Sequence, residues 1–301
     1  MSRRKSGDKI DGWVVLDKPL GLGSTPAVGR VRRLFGAQKA GHGGTLDPLA
    51  SGVLPIALGE ATKTVPFVMD GRKEYRFTLC FGEARTTEDS EGEVTTTSHV
   101  RPSDAALRGA LPAFLGEIEQ MPPVFSALKV DGRRAYDLAR AGETVTLKPR
   151  RVRIDRLEFL ARPDADHAEF VVTCGKGTYI RSLGRDLALA LGTVGHLSAL
   201  RRTAAGPFRE EQAISLPKLE ALGHIPALLG ALAPVATALD DIPALALTEA
   251  QGNRLRQGQP VLLTRDAPPS GALVRAEHDG KLVALVRSDG SSIQPVRVFN
   301  L

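Results

Sequence analysis

Between Gly41 and Pro55 the chain reads GHGGTLDPLASGVLP, and no other stretch restricts its folding so tightly. Glycine permits positive φ and proline fixes its own, so four glycines and two prolines in fifteen residues force a tightly shaped loop. Such a loop brings backbone close to a ligand while presenting one carboxylate, Asp47, and one imidazole, His42. An isolated Asp-Pro marks an ordinary turn and an isolated loop histidine is polar surface. The whole run is not ordinary.

The flanking segments have readable periods. Gly12–Leu16 (GWVVL) is a buried-strand pattern entering a Pro/Gly turn at Asp17–Gly21. Ser24 is an expected N-cap, with Val28, Val31, Leu34 and Phe35 as a helical stripe and Arg30, Arg32 and Arg33 off it. Tyr75, Phe77, Leu79 and Phe81 alternate with Arg76, Thr78 and Cys80, which predicts a half-buried strand. The polar, acidic segment Thr86–Thr97 reads as an exposed connection and Ser103–Leu115 as a helix. Phe125–Gly142 is a basic stretch whose Lys129, Arg133 and Arg134 are candidates for a loop that orders around a polyanionic partner. Ile180, Leu183, Leu187, Ala190 and Leu191 repeat as on an amphipathic helix. Near the end, Leu247–Gln257 suggests a short helix. Runs 272–276, 282–286 and 296–299 suggest strands of a small β module.

Composition bounds the class of partner. The 301 residues are 42% hydrophobic and 25% charged, as in ordinary globular proteins, and the formal net charge of +6 suits a polyanion. Cys80 and Cys174 lie in strand-like runs with no Cys or His at metal spacing, so free thiols are expected. Met1–Asp11 is basic and polar, a disordered tail with no apolar stretch of a signal peptide behind it. The apolar segment 225–239 is short for a membrane span and is broken by Pro234. A cytoplasmic protein without membrane association is expected.

Seven pieces in order carry a resemblance. They are Asp17-Lys18-Pro19, the loop run, Lys73-Glu74-Tyr75, Gln120-Met121-Pro122-Pro123 with Phe125-Ser126-Ala127, Tyr136–Arg140, Cys174–Leu183 and Leu200-Arg201-Arg202. Together they resemble the TruB family of bacterial tRNA pseudouridine-55 synthases over most of the chain. The resemblance implies an α/β (α+β) fold, a mixed and largely antiparallel sheet with flanking helices, followed by a small β-barrel-like module resembling a PUA domain. It implies a catalytic domain over 1–243 and an RNA-binding module over 244–301. The implied reaction is isomerisation of the flipped-out T-loop uridine of tRNA by a monomer, with no cofactor and no metal.

Carried over by position, the nucleophilic aspartate falls on Asp47 and the base-stacking aromatic on Tyr75. Active-site tyrosine and arginine positions fall on Tyr179 and Arg181, an apolar pocket residue on Leu200, a basic neighbour on Lys18 and the histidine that meets the RNA on His42. The reaction breaks N1–C1′ and joins C5 to C1′ without net redox change. A carboxylate suits it, either at C1′ or as the agent removing a ribose proton. Arg181 would pair with that charge, and Arg201 and Arg202 would reach phosphate. Two departures from the family pattern, Gly43 and Leu22-Gly23-Ser24, imply short, flexible loops. A glycoside hydrolase would need a second carboxyl group, for which Glu60 and Glu74 are the nearest candidates. A non-catalytic tRNA-binding protein would share the basic balance and the C-terminal module. A guide-RNA-dependent relative would carry basic extensions that this chain lacks.

Overall fold

The alternating run at Tyr75–Phe81 lies in the middle of a ten-stranded sheet in the computed structural model of the chain, which describes residues 7–126, 128–130, 132–263 and 265–301. The sheet comprises β1 (Gly12–Lys18), β2 (Ala40–His42), β3 (Ala50–Leu58), β4 (Lys73–Phe81), β5 (Gly116–Gln120), β6 (Arg150–Ala161), β7 (His167–Cys174), β8 (Gly195–Ala205), β9 (Phe208–Arg209) and β10 (Ile214–Ser215). Its order is β10-β1-β3-β8-β4-β7-β6-β5, with β2 on β3 and β9 on β8. Only β1–β10 and β3–β8 are parallel, so the sheet is largely antiparallel as expected.

Alternation decides the layers. Phe77, Leu79 and Phe81 of β4 are buried, and the Phe77 ring stacks on Phe170 of β7 at 5.1 Å between centroids. Helices α1 (Ser24–Leu34), α2 (Val65–Asp70), α3 (Asp104–Ala110), α4 (Ala135–Arg140) and α5 (Ile180–Ala190) follow in chain order. Ala27, Val31 and Phe35 of the α1 region and Ile180, Leu183, Leu187 and Ala188 of α5 join one core with the inward face of β4. Ala190, expected on the α5 stripe, is exposed, and Ala188 fills that place. Pro112 tightens the end of the predicted 103–115 helix, which continues past α3 as a 3₁₀ turn over Leu111–Phe114.

Strands β1 and β3 are buried on both faces. Val14, Leu16, Leu54 and Ile56 face the helical core, while Trp13, Val15, Val53 and Ala57 face a second core. That second core is closed by Phe208, Val235 and Leu239, and by Leu282, Leu285 and Phe299 from the C-terminal module. The module is a five-stranded sheet of β11 (Ala244–Ala246), β12 (Val261–Leu262), β13 (Leu273–His278), β14 (Lys281–Ser288) and β15 (Ser292–Val298), ordered β11-β13-β14-β15-β12. The chain reaches it through α6 (Leu216–Ala221) and α7 (Ile225–Gly230); α8 (Glu249–Arg256) then packs on it, started by a Thr248–Gln251 capping box. Strands β11 and β12 escaped the sequence reading because three and two residues carry no period. Lys63 Nζ donates to the Val298 carbonyl and the Asn300 N–H donates to the Glu60 carboxylate, tying the last strand to the turn after β3.

The part of the predicted disordered tail that the structure describes, residues 7–11, is held in place. Met1–Ser6 lies outside the described residues, but Asp8 exchanges backbone hydrogen bonds with Gly36 and Gln38, and Ile10 is buried. No helix among the described residues is long and apolar enough to cross a membrane. Both cysteines are free, with Cys174 buried and Cys80 half-buried.

Trp13 is fully buried, lies 5.1 Å from the Phe208 ring, and its indole N–H has no acceptor among the described residues. Trp13→Ala should therefore destabilise the chain by about 3–5 kcal/mol. Trp13→Phe, which sacrifices no hydrogen bond, should cost less than half of that; urea unfolding of both variants gives the comparison.

Candidate active site

The loop after β2 is fastened from below by three side chains. Ser24, expected as an N-cap, lies inside α1 and leaves Gly23 at the cap. Its hydroxyl instead donates to the Leu46 carbonyl and accepts the Leu46 N–H, both at 2.8 Å. The Lys18 ammonium, fully buried, donates to the carbonyls of Pro19, Leu22 and Pro48. Arg202, 1% exposed, donates to Val53 at 2.7 Å, Gly44 at 3.0 Å and Thr45 at 3.3 Å, gripping both limbs of the loop.

Arg202 is thus no phosphate ligand, contrary to the sequence reading. Its strand register sets it opposite Tyr75, on the buried face of β8. Arg201 points the other way and forms ion pairs with Asp17 (2.9 Å) and Glu210 (3.1 Å). Gly52 adopts φ of 98°, and a Cβ there would stand 2.2 Å from the Arg202 carbonyl oxygen. Gly43, read as a source of flexibility, is held by packing: a Cβ would meet Val68 Cγ1 at 2.6 Å.

Above this base, Asp47 pairs with Arg181 at 2.9 Å. Its carboxylate is 41% exposed while the guanidinium side chain is 6% exposed. Arg181 opens α5 and is held by the carbonyls of Thr87 and Phe125, each at 2.8 Å. A second carboxylate, Asp89, stands 3.8 Å from its Nε.

The segment 86–97 is therefore not merely an exposed connection. It forms a hairpin of Glu83–Arg85 with Val94–Thr97 whose tip turns inward. Glu88 pairs there with Arg185 and accepts from Ser182, and Asp89 is buried. Charge explains the inversion, because these acidic residues meet the arginines of α5. Glu60 and Glu74, the two carboxylates considered from sequence, are occupied elsewhere, by Lys63 and by Thr203.

Two cavities meet at Asp47. The first, about 650 Å³, is lined by Tyr75, Tyr179, Arg181, Leu200 and Arg202 together with Lys73, Arg150, Arg151 and Lys176. The second, about 610 Å³, carries Asp89, Glu91 and Glu93 with Arg140 and Arg181. Tyr75 is 9% exposed, and burial raises its pKa against the opposing pull of the Arg202 charge, so it stays protonated at neutral pH. Tyr179 is placed by a residue with no role assigned from sequence. The fully buried Gln120 amide accepts the Tyr179 N–H at 2.8 Å and donates to its carbonyl at 3.1 Å. The Arg150 guanidinium lies 6.0 Å from the centre of the Tyr179 ring.

The structure thus brings Asp47, Tyr75, Tyr179, Arg181 and Leu200 into one wall. Lys18 and His42 line neither cavity. His42 accepts the Gly44 N–H through Nδ1, and burial, aided by the Arg202 charge, lowers its pKa and keeps the ring neutral near pH 7. Arg133, a candidate RNA contact, pairs with Glu143; the side chains of Lys129 and Arg134 lie outside the described residues. No cluster of three or more His, Cys, Asp or Glu suited to a metal occurs among the described residues.

Three family profiles cover the chain: TruB family pseudouridylate synthase (N terminal domain) at 32–180, tRNA pseudouridylate synthase B C-terminal domain at 181–240, and tRNA pseudouridine synthase II, C terminal, at 242–300. The chain is similar to the tRNA pseudouridine synthase B of Bradyrhizobium diazoefficiens, 57% identical over 99% of this chain and 88% of that one. It is 55% identical to that of Caulobacter vibrioides over 100% of both chains. Among solved structures, a Cbf5-Nop10-Gar1 complex aligns with a TM-score of 0.74 at 28% identity, covering 96% of this chain and 85% of that one. An H/ACA RNP bound to a substrate RNA containing 2′-deoxyuridine aligns with a TM-score of 0.74 at 25% identity, covering 100% and 92%.

Burial pushes the Lys18 pKa down from 10.5 to about 8, against a smaller opposing pull from Asp47. Between pH 8 and 10.5 the unfolded chain therefore binds more protons at this group, and its contribution to stability rises with pH. Relative to Lys18→Met, the parent should gain about 1 kcal/mol of unfolding free energy per pH unit from pH 8 to 10. Urea titrations at each pH read this difference; parallel pH profiles would refute it.

Proposed function

We propose, from the premise that this chain belongs to the TruB family of pseudouridylate synthases, that it isomerises the T-loop uridine of tRNA with Asp47 as the reacting group. The chain is a tRNA pseudouridine synthase, an isomerase, as its full-length relatives are. The remaining assignments rest on the geometry of the first cavity.

The observation that carries the reading is the Asp47–Arg181 pair. A half-exposed carboxylate faces the cavity while a buried guanidinium, itself fixed by two carbonyls, neutralises it from behind. When a base closes the cavity, Asp47 keeps its counter-charge and is not stranded in a low-dielectric site. The target uridine must leave its stack, at a cost of a few kcal/mol. The Tyr75 ring, on rigid β4, recovers part of this by stacking, worth about 1–3 kcal/mol. Leu200 closes the apolar side, and Tyr179 with Arg181 borders the sugar. His42 and Lys18 act from outside the wall, His42 toward the displaced T-loop and Lys18 by holding Pro48 beside Asp47.

The basic rim at Arg150, Arg151 and Lys176 suits phosphates. We divide the chain at 243/244 into a catalytic domain and a PUA-like RNA-binding module. We assign it a cytoplasmic, monomeric existence with no cofactor.

Asp47→Asn should bind tRNA within about threefold of the parent and convert none of it, because shape is kept while the reacting carboxylate is lost. Mapping pseudouridine in tRNA from cells lacking the protein, restored with either form, tests site and residue together. Release of free uracil would instead indicate hydrolysis. Tyr75→Phe should retain most activity and Tyr75→Ala lose about 10- to 100-fold, as expected for the loss of one stacked base; equal losses in single-turnover assays would assign the role to the hydroxyl.

A further inference from the structure

Lys18, Lys73 and Arg202 are 0%, 7% and 1% exposed, and none has a carboxylate partner among the described residues. Their hydrogen bonds end on neutral groups. Lys73 Nζ donates to the carbonyls of Met69 and Gly71, and Arg202 to three loop carbonyls. Carbonyls satisfy the donors but bring no carboxylate into contact; Asp47 acts on Lys18 and Asp70 on Lys73 only from a distance, and buried charges without a contacting partner are unfavourable. Two other cations of the first cavity, which Lys73 and Arg202 line, are paired: Arg181 with Asp47 and Lys176 with Asp70. The second cavity has the opposite sign, carrying Asp89, Glu91 and Glu93. Positive charge is thus concentrated in the wall where Tyr75 and Leu200 lie.

The reaction supplies an anion for that wall. On the displacement route an Asp47 oxygen bonds to C1′ as N1 departs with both electrons of the glycosidic bond. On the elimination route Asp47 takes a ribose proton and N1 departs with the same pair. Either way the uracil is detached as an anion. It remains so until C5 bonds to C1′, as Asp47 departs from C1′ with its bonding pair on the first route or returns the ribose proton on the second; the C5 proton then leaves and N1 takes up a proton. A charge that exists only after bond cleavage is best stabilised by groups already oriented toward it.

We propose that Lys73 and Arg202 form the electrostatic seat of the detached uracil anion. Lys73 faces the base from the cavity wall, and Arg202, opposite Tyr75 in the strand register and lining the same cavity, acts from beneath. This assignment rests on the reading that the first cavity holds the target base.

The test compares tRNA carrying uridine or 5-fluorouridine at the target position, following loss of the N-linked nucleoside in a single turnover. Fluorine withdraws electrons and stabilises the departing anion by itself. Lys73→Met should slow uridine cleavage by about 100-fold or more but 5-fluorouridine cleavage by only about 10-fold, and Lys73→Arg should recover most of the uridine rate. Equal slowing of both substrates would overturn the assignment, since lost packing or lost α2 capping does not sense the leaving group. If Lys73→Met fails to fold, Lys73→Gln retains a donor for the Gly71 carbonyl and the same ratio decides. A parent protein that cleaves neither nucleoside would instead sink the underlying reading of the cavity.

Discussion

The arrangement of the site depends on a single guanidinium. Arg202 bonds to carbonyls on both limbs of the glycine-rich loop and stands opposite Tyr75 in the strand register, so the reacting carboxylate and the aromatic wall share one anchor. Its planar array of donors allows one side chain to serve acceptors on both limbs at once. Gly52 is required directly above it, where any side chain would strike the Arg202 backbone. The loop's glycines therefore serve closeness of approach more than mobility.

Pairing divides the cationic groups into two kinds. Arg181 and Arg185 draw the acidic hairpin tip inward, and that tip in turn fixes the start of α5. Lys18, Lys73 and Arg202 contact carbonyls alone. The first kind fixes shape. The second sets up a field, and a field is useful only to a molecule that brings the missing charge.

Local pattern made much of this legible. Alternation at 75–81 and the stripe on α1 were readable because a strand or helix face is encoded within a few residues, and the loop because glycine and proline act on their own backbone. What stayed hidden depends on distant partners. Arg201-Arg202 looks like a surface pair until the β8–β4 register turns one residue inward and the other out. Asp89 lies in a polar run and becomes interior only through Arg181, more than ninety residues away in the chain. Gln120 was part of a noted motif, but its clasp on Tyr179 needs β5 and the start of α5 side by side. Ser24 carries a helix-start signature that the structure spends on Leu46 instead.

Strand β3 leaves the loop and runs straight between two cores, one of them completed by Leu282, Leu285 and Phe299. The small module is therefore not an appendage joined by a tether. Shortening the gene to the larger domain would strip an oily lining from the back of the very strand that leads out of Asp47's loop. Lineages that discard or exchange this module must also rewrite Trp13, Val15, Val53 and Ala57, which links the history of the two parts.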